Sequence, residues 1–170
     1  MTFEEFLAAE LPGLTRFSAV LTGNRHLAED VLQDALVRAH ARWGRIGGMD
    51  RPDAYVRRIV TTSYLSWRRL WATRKIHPVE DLSKFEYLEN TPDPAVSVVR
   101  TDHVRRLVAS LPRRQRAAVV LRFYVGCDDT EAATAMGCSV QTVRSHISRA
   151  LDALRAHPSM REHVETGAKL

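Results

Sequence analysis

The sequence is poor in the residues on which several classes of protein depend. Its 170 residues include two cysteines, Cys127 and Cys138. Two thiols fall short of a structural zinc site; His146 could in principle join them, but small residues in a helical core are the favoured interpretation. No apolar run approaches the roughly 20 residues that a membrane-spanning helix requires. The sequence therefore predicts no metal, no cofactor and no membrane insertion.

Signal-peptide features are also missing, because the N-terminal segment MTFEEFLAAELPG is acidic where a signal peptide would be basic. The chain contains no internal repeat and no low-complexity segment. The acidic N-terminal segment predicts a cytoplasmic protein, in which a disulfide is not expected. What is present is typical of a folded protein, with 45% hydrophobic and 26% charged residues.

The net charge of +5 and the pI near 9.7 indicate an anionic partner, with nucleic acid favoured over a membrane surface. Residues 51–75 carry seven basic residues against one acid, and residues 96–157 carry ten arginines against five acids. Between them, residues 76–95 carry five acids, one lysine and three prolines, which disfavour a continuous helix. We therefore expect domains at 1–75 and 96–157, an acidic linker at 76–95 and a tail at 158–170.

Helical periodicity dominates the first domain. Apolar residues recur three and four positions apart from Ala28 to Trp43, which predicts a helix with Asn24 as its N-cap and Gly44 at its end. The segment from Phe3 to Leu21 is expected to form one or two shorter helices, because Pro12 interrupts it. Polar residues share the outward side of the long helix, as either a solvated acidic face or a docking surface for a protein. These are Glu29, Asp30, Gln33 and Asp34.

A further helix is expected from Pro52, with Asp50 as its N-cap. Its expected core stripe is Val56, Val60, Ser63, Trp67 and Leu70 or Trp71. Arginines alternate with aromatic residues along the rest of this helix. Guanidinium groups hold phosphates and aromatic rings stack on unpaired bases, so the pattern suits nucleic acid. Buried tryptophans beside an arginine-rich solvent face would produce the same pattern.

The second domain has the elements of a helix-turn-helix. Helices are expected at 96–110, 113–124, 129–136 and 140–155, with Gly137 in the turn and Ser139 as the N-cap of the last helix. An exposed polar face on the last helix suits the major groove of DNA better than a purely structural hairpin. That face comprises Gln141, Thr142, Arg144, Ser145, His146, Ser148 and Arg149.

The chain resembles the extracytoplasmic-function (ECF) sigma factors, the smallest members of the sigma-70 class. The stretch LTGNRHLAEDVLQDALVRAHARW (Leu21–Trp43) is similar to their region 2 helices, and RPDAYVRRIV with SWRRL to the promoter-contacting segment that follows. Leu111–Arg155, from LPRRQR to ALDALR, is similar to their region 4. The YVRR and SWRR motifs resemble those of a SigE-like actinobacterial branch of the group. The resemblance implies an all-α fold, with a region 2 helical bundle and a region 4 helix-turn-helix joined by a flexible linker.

The resemblance also implies partners and residue roles. The acidic face would dock on the β′ clamp helices of core RNA polymerase, region 4 would meet the β flap, and the linker would run toward the RNA exit channel. The exposed polar face of the last helix would read the −35 element of promoter DNA. An anti-sigma factor is a common further partner in this group. Residues along the −10 element would be Arg57, Arg58, Thr62, Trp67, Arg68 and Arg69.

Two residues depart from the family pattern, and the sequence leaves two alternative functions to compare with the sigma-factor prediction. Thr62 stands where asparagine is usual, which would alter the −10 preference, and His146 stands where arginine is common. A stand-alone helix-turn-helix regulator is the alternative, although no dimerisation segment is evident. An enzyme is disfavoured, because the acids from Asp128 to Glu131 suit a helix N-terminus, and no catalytic residue is predicted.

Overall fold

The computed structural model describes residues 1–73 and 97–157, and within them the chain is helical with no strand. Helices α1–α4 form an N-terminal module and α5–α8 a C-terminal module. The bounds are α1 Phe3–Thr22, α2 Arg25–His40, α3 Trp43–Ile46, α4 Pro52–Thr73, α5 Ser97–Ser110, α6 Arg113–Val119 with a π-helical continuation Val120–Val125, α7 Asp129–Met136 and α8 Val140–Ala156. The expected linker at 76–95 and tail at 158–170 lie outside the described residues.

Helix α1 runs without a break through Pro12, so the expected interruption there is wrong. A capping box starts the helix: the Thr2 side chain accepts the Glu5 N–H, and the Glu5 side chain accepts the Thr2 N–H. A proline inside a helix costs about 3 kcal/mol. That cost is outweighed because one face of the helix stays buried on both sides of Pro12. The buried residues include Phe6, Leu14, Phe17 and Leu21.

Helix α2 begins as expected and ends earlier than expected. The Asn24 Oδ1 accepts the Leu27 N–H at 2.9 Å, which confirms Asn24 as the N-cap. The helix stops at His40 instead of continuing to Gly44, because Trp43 turns back toward α1. The Trp43 Nε1 donates to the Met1 carbonyl at 3.1 Å, and its ring packs edge-on against Phe3. Tertiary packing therefore ends this helix.

Helix α4 starts at Pro52, as expected, but Arg51 directly precedes it, so the N-cap assignment of Asp50 is wrong. The expected core residues Val56, Val60 and Ser63 are buried. The alternatives at 70 and 71 concern side chains outside the described part.

In the C-terminal module, α7 and α8 form the expected helix-turn-helix. Gly137 has a φ of +63°, a conformation that glycine adopts without a Cβ penalty. Asp128 and Glu131 form a capping box on α7, and the Ser139 Oγ accepts the Thr142 N–H on α8. Val143 lies fully buried under the turn. Local capping and packing together fix the angle at which α8 is presented.

The two modules share one hydrophobic core. Buried residues of α1, α2 and α4 are continuous with buried residues of α6, its π-helical continuation, α7 and α8. A smaller cluster of Leu111, Val119 and Ala150 lies within the C-terminal module. Among the described residues, no helix has the length and apolar character needed to cross a membrane, and no group of three or more His, Cys, Asp or Glu side chains could hold a metal.

Candidate nucleic-acid and polymerase interfaces

Helix α8 presents its exposed polar side chains away from its buried residues, Val143 and Ala150. Of the predicted −35 residues, four are exposed and three are half-buried. The exposed residues are Gln141, Arg144, Ser148 and Arg149, and the half-buried ones are Thr142, Ser145 and His146. All seven lie within the first ten residues of one helix. His146 is on its buried side, three residues after Val143 and four before Ala150, and the four exposed residues form the outward face.

Two of the half-buried residues have local roles. The Thr142 hydroxyl lies 2.8 Å from the Ser139 hydroxyl, so Thr142 belongs to the N-terminal cap of α8. Burial, together with the nearby charges of Arg114 and Arg149, lowers the pKa of His146 below its ordinary value. His146 is therefore neutral at neutral pH and supplies no positive charge to the face.

Arg144 is held by an acid from the preceding helix. Its Nε donates to the Asp129 Oδ2 at 2.8 Å. The other carboxylate oxygen of Asp129 lies 3.7 Å from the Arg122 Nε. From the sequence, Asp129 is recognisable only as an acid at a helix N-terminus. It is 15 residues before Arg144, across a turn, so no helical period connects the two.

On α4, the predicted −10 residues are not equally available. Arg57 is half-buried and paired with Asp53 at 2.8 Å and with Glu10 at 3.4 Å. Arg58 is exposed, with its guanidinium 6.0 Å from the centre of the Tyr55 ring. The Thr62 hydroxyl lies 2.9 Å from each of two carbonyls of its own helix, those of Arg58 and Ile59. The side chains of the remaining arginines, Arg68 and Arg69, lie outside the described part.

Two aromatic residues of α4, Tyr64 and Trp67, face the C-terminal module. The Arg113 guanidinium lies 5.3 Å from the ring centre of Tyr64 and 5.1 Å from that of Trp67. Tyr64 is 1% exposed, and burial raises its pKa against the opposing charges of Arg116 and Arg113. Trp67 is half-buried. In this arrangement, α6 covers the ring that the sequence assigned to base stacking.

A second arginine of α6 joins the modules at the end of α1. The Arg116 guanidinium donates to the carbonyls of Thr22 in α1, of Ala109, and of Leu111 at 3.1 Å. Burial lowers the pKa of Arg116 from its ordinary value. Gly23 permits the approach, because a Cβ there would lie 2.8 Å from the Ala109 Cβ. Nothing in the spacing of LPRRQR indicated this contact, since its partner is 94 residues away.

A cleft of about 380 Å³ opens between α4 and the π-helical segment with α7. Its lining includes Met49, Tyr55, Arg58, Leu121, Val125 and Cys127. The Arg51 Nη1 and the Glu131 Oε1, 3.2 Å apart, close one side of the cleft. The modules therefore meet through arginine contacts around an accessible and largely apolar gap.

The acidic face of α2 is exposed at Glu29, Asp30 and Gln33, whereas Asp34 is half-buried. The Asp34 Oδ2 accepts the Ser63 hydroxyl at 2.9 Å and lies 3.1 Å from the Arg38 guanidinium. Asp34 thus ties α2 to α4. Val37, which is 66% exposed, lies four residues after Gln33 on the same side of the helix. Val37 is an apolar member of this face that the sequence-based prediction did not include.

Comparison with known families matches each module separately. Residues 6–74 match the family described as Sigma-70 region 2, and residues 102–154 match Sigma-70, region 4. Two solved structures share the fold. The sigma factor RpoE in complex with the anti-sigma factor NepR from Bartonella quintana has a TM-score of 0.63 and 24% identity, covering 90% of this chain and 94% of that one. CnrH with the cytosolic domain of CnrY has a TM-score of 0.54, covering 91% and 85%.

Curated relatives match over almost the whole chain. The RNA polymerase sigma-E factor of Streptomyces avermitilis is 32% identical over 95% of this chain and 88% of its own length. That of Streptomyces coelicolor is 32% identical over 91% and 85%. The ECF RNA polymerase sigma factor EcfG of Rhodopseudomonas palustris is 29% identical over 90% and 82%. With both sigma-70 regions present in order, this chain belongs to the sigma-70 family of RNA polymerase sigma factors, in its ECF group and SigE-like branch, and directs transcription initiation.

Proposed function

We propose that residues on three helices divide the work of this sigma factor. The exposed side of α2 docks on the β′ clamp helices of core polymerase, α4 holds the −10 element, and α8 reads the −35 element. The observation that carries the proposal is the polar face of α8 opposite the buried Val143 and Ala150. We further propose domains at 1–75 and 96–157, separated by the linker at 76–95 and followed by a tail at 158–170.

The −35 assignment rests on chemistry that suits duplex DNA. Arg144 and Arg149 are exposed within the first ten residues of the helix that follows the turn of the helix-turn-helix. An arginine can donate two parallel hydrogen bonds to guanine in the major groove, and serine and glutamine side chains can reach bases or phosphates. Because His146 is held neutral, the two arginines supply the positive charge of this face.

For the −10 element, Arg58 is the described residue best placed to meet a phosphate, since its side chain is exposed. Arg57 is engaged by two acids, and a structural role in joining α4 to α1 competes with DNA contact. Trp67 can stack on an unpaired base only after Arg113 leaves its ring. We therefore propose that the two modules separate when the factor is seated on polymerase.

The polymerase-docking assignment is supported by exposure and composition. Asp30 and Gln33 are exposed on α2, and Val37 adds an apolar contact beside them. An apolar residue within a polar rim is typical of protein interfaces. Asp34 contributes less to docking than its neighbours, because Ser63 and Arg38 already engage its carboxylate.

Sigma factors are generally non-enzymatic, and we propose that this chain has no catalytic activity and works in the cytoplasm, where promoter DNA is.

We also propose an anti-sigma factor as a partner. The solved structures of similar fold were determined with an anti-sigma factor and with the cytosolic domain of CnrY. The largely apolar cleft between the modules offers a protein segment a place to bind.

Run-off transcription from a promoter library tests the proposal. Core polymerase and the full chain are incubated with templates randomised at both promoter elements, and the transcribed templates are sequenced. Two separate conserved blocks are expected. The variants Arg144→Ala and Arg149→Ala should each reduce base discrimination in the upstream block by about 1–3 kcal/mol. Base preference in the downstream block should be unchanged.

Arg155→Ala is the matched control, since Arg155 is an exposed arginine near the C-terminal end of the same helix. It should leave both blocks unchanged. Absence of any start site together with absence of polymerase binding would overturn the proposed function. Tight binding to one DNA site without polymerase would favour a stand-alone regulator instead.

A further inference from the structure

Asp129, the first residue of α7, lies between two arginines and belongs to none of the surfaces assigned above. Its Oδ2 accepts a hydrogen bond from the Arg144 Nε at 2.8 Å, and its Oδ1 lies 3.7 Å from the Arg122 Nε. The Asp129 side chain is 27% exposed, whereas the Arg144 side chain is 64% exposed. The carboxylate is therefore the sheltered member of the pair, and the guanidinium is the presented one.

The helix N-terminus does not need the Asp129 carboxylate as a cap. Asp128 fills that role, since its Oδ1 accepts the N–H groups of Thr130 and Glu131 at 2.8 Å each. The Glu131 Oε2 completes the box by accepting the Asp128 N–H at 2.9 Å. Asp129 is thus left to engage side chains beyond its own helix, and the residue it reaches is on the reading face of α8.

The geometry of a guanidinium group gives this contact a consequence for base reading. Arginine donates through a planar fork, and one edge can be bonded while the other remains available. Here the Nε is bonded to Asp129, which leaves the edge formed by the two terminal nitrogens for an acceptor outside the protein. That edge can bond the O6 and N7 of guanine. A long flexible side chain is thereby ordered before DNA arrives, which reduces the entropy lost on binding.

The charge of Asp129 separates specificity from affinity. A carboxylate close to the reading face repels phosphates, so it weakens sequence-independent attraction to DNA. An ordered arginine discriminates better between bases, because a guanidinium group that is held in place cannot move to bond the acceptors of the wrong base. The pair therefore favours selective contact over general attraction.

We propose that Asp129 is a positioning residue for −35 recognition, which holds Arg144 in place for one base pair. This inference rests on the proposed role of α8. It differs from that role in assigning part of the selectivity to a residue on α7.

The randomised −35 library, transcribed with core polymerase and the full chain, tests the inference. Arg144→Ala should lose discrimination at one base pair. Asp129→Ala should lose discrimination at the same base pair, by about fivefold, and keep it elsewhere. Asp129→Glu, which keeps the carboxylate, should recover part of the loss. Binding to non-promoter DNA should be stronger in Asp129→Ala, because the repulsion between the carboxylate and the phosphates is removed.

Asp152→Ala is the matched control, because Asp152 is an exposed acid that pairs with Arg155 at 3.5 Å on the same module. It removes one negative charge and should leave every −35 position unchanged. A purely structural role of Asp129 would lower the melting temperature and reduce activity on all templates equally, which contradicts the inference. Unchanged discrimination in Asp129→Ala, with a loss in Arg144→Ala, overturns the inference alone. No loss in Arg144→Ala overturns both it and the assigned role of Arg144.

Discussion

Replacing Arg116 by methionine should weaken the contact between the two modules and destabilise the chain. Methionine keeps an unbranched apolar stem of similar length and removes the guanidinium that reaches from α6 to the Thr22 carbonyl of α1. That carbonyl belongs to a buried residue in the last turn of α1. The change therefore removes a cation from a helix C-terminus and takes the guanidinium donor away from the carbonyls of Thr22, Ala109 and Leu111. Among these, the buried Thr22 carbonyl is the one that links the two modules.

The expected loss follows from those two terms. An unsatisfied buried carbonyl costs about 1–3 kcal/mol, and the cation at the helix C-terminus contributes about 0.3–1 kcal/mol. Part of this loss is offset, because methionine avoids the desolvation cost of burying a charged guanidinium. The lowered pKa of Arg116 reflects that cost. We expect the free energy of unfolding to fall by about 2 kcal/mol.

Urea denaturation of the full chain, followed by circular dichroism, measures this change. Arg114→Met is the matched control, since Arg114 is exposed two residues earlier on the same helix and should change stability by less than about 0.5 kcal/mol. Acrylamide quenching of tryptophan fluorescence should increase in Arg116→Met, because Trp67 lies against the same helix. Equal stability and equal quenching in the two variants would refute the reasoning.

Three further predictions concern the other surfaces. Asp30→Arg combined with Gln33→Arg should abolish binding to core polymerase in a pull-down and leave the circular dichroism spectrum unchanged. Thr62→Asn should change base preference in the −10 block of the promoter library by about 1–3 kcal/mol and leave the −35 block unchanged. Since burial lowers the pKa of His146, the folded chain binds fewer protons there than the unfolded chain. Stability should therefore fall as the pH drops below the ordinary histidine pKa, and less so in His146→Gln.

Each of these predictions has a contrary outcome. Retained polymerase binding in the double variant would remove α2 as the docking surface, and Glu4→Arg, an exposed acid on α1, is its control. A change of base preference in the −35 block of Thr62→Asn would contradict the assignment of Thr62 to the −10 element. A pH profile of stability identical in His146→Gln and the original chain would show that His146 is not the group that titrates.

Features set by neighbouring residues could be predicted from the sequence. The helix-turn-helix follows from Gly137, Ser139 and the spacing of apolar residues, because capping and periodicity act within a few positions. The polar face of α8 follows from the same spacing. Asn24 was identified as an N-cap for this reason.

Features that depend on distant residues could not be predicted. Helix α1 continues through Pro12 because a buried face outweighs the lost hydrogen bond, and α2 ends early because Trp43 packs on the N-terminus. Arg113 contacts the Tyr64 ring of α4 and Arg116 donates to the Thr22 carbonyl of α1, and no local pattern in LPRRQR indicates either contact. The Asp129–Arg144 pair crosses a turn, so no helical period links the two residues.

The shared core of the two modules couples their energetics. Both modules contribute to one buried cluster, so the chain should unfold in a single cooperative transition. This holds although each module matches a separate family model. The same cluster sets the population of chains whose modules are apart. Any substitution that tightens the contact makes the free protein more resistant to heat and, by the same amount, makes the separated form rarer. On the proposed separation of the modules at polymerase, thermal stability and polymerase binding therefore oppose each other at this interface.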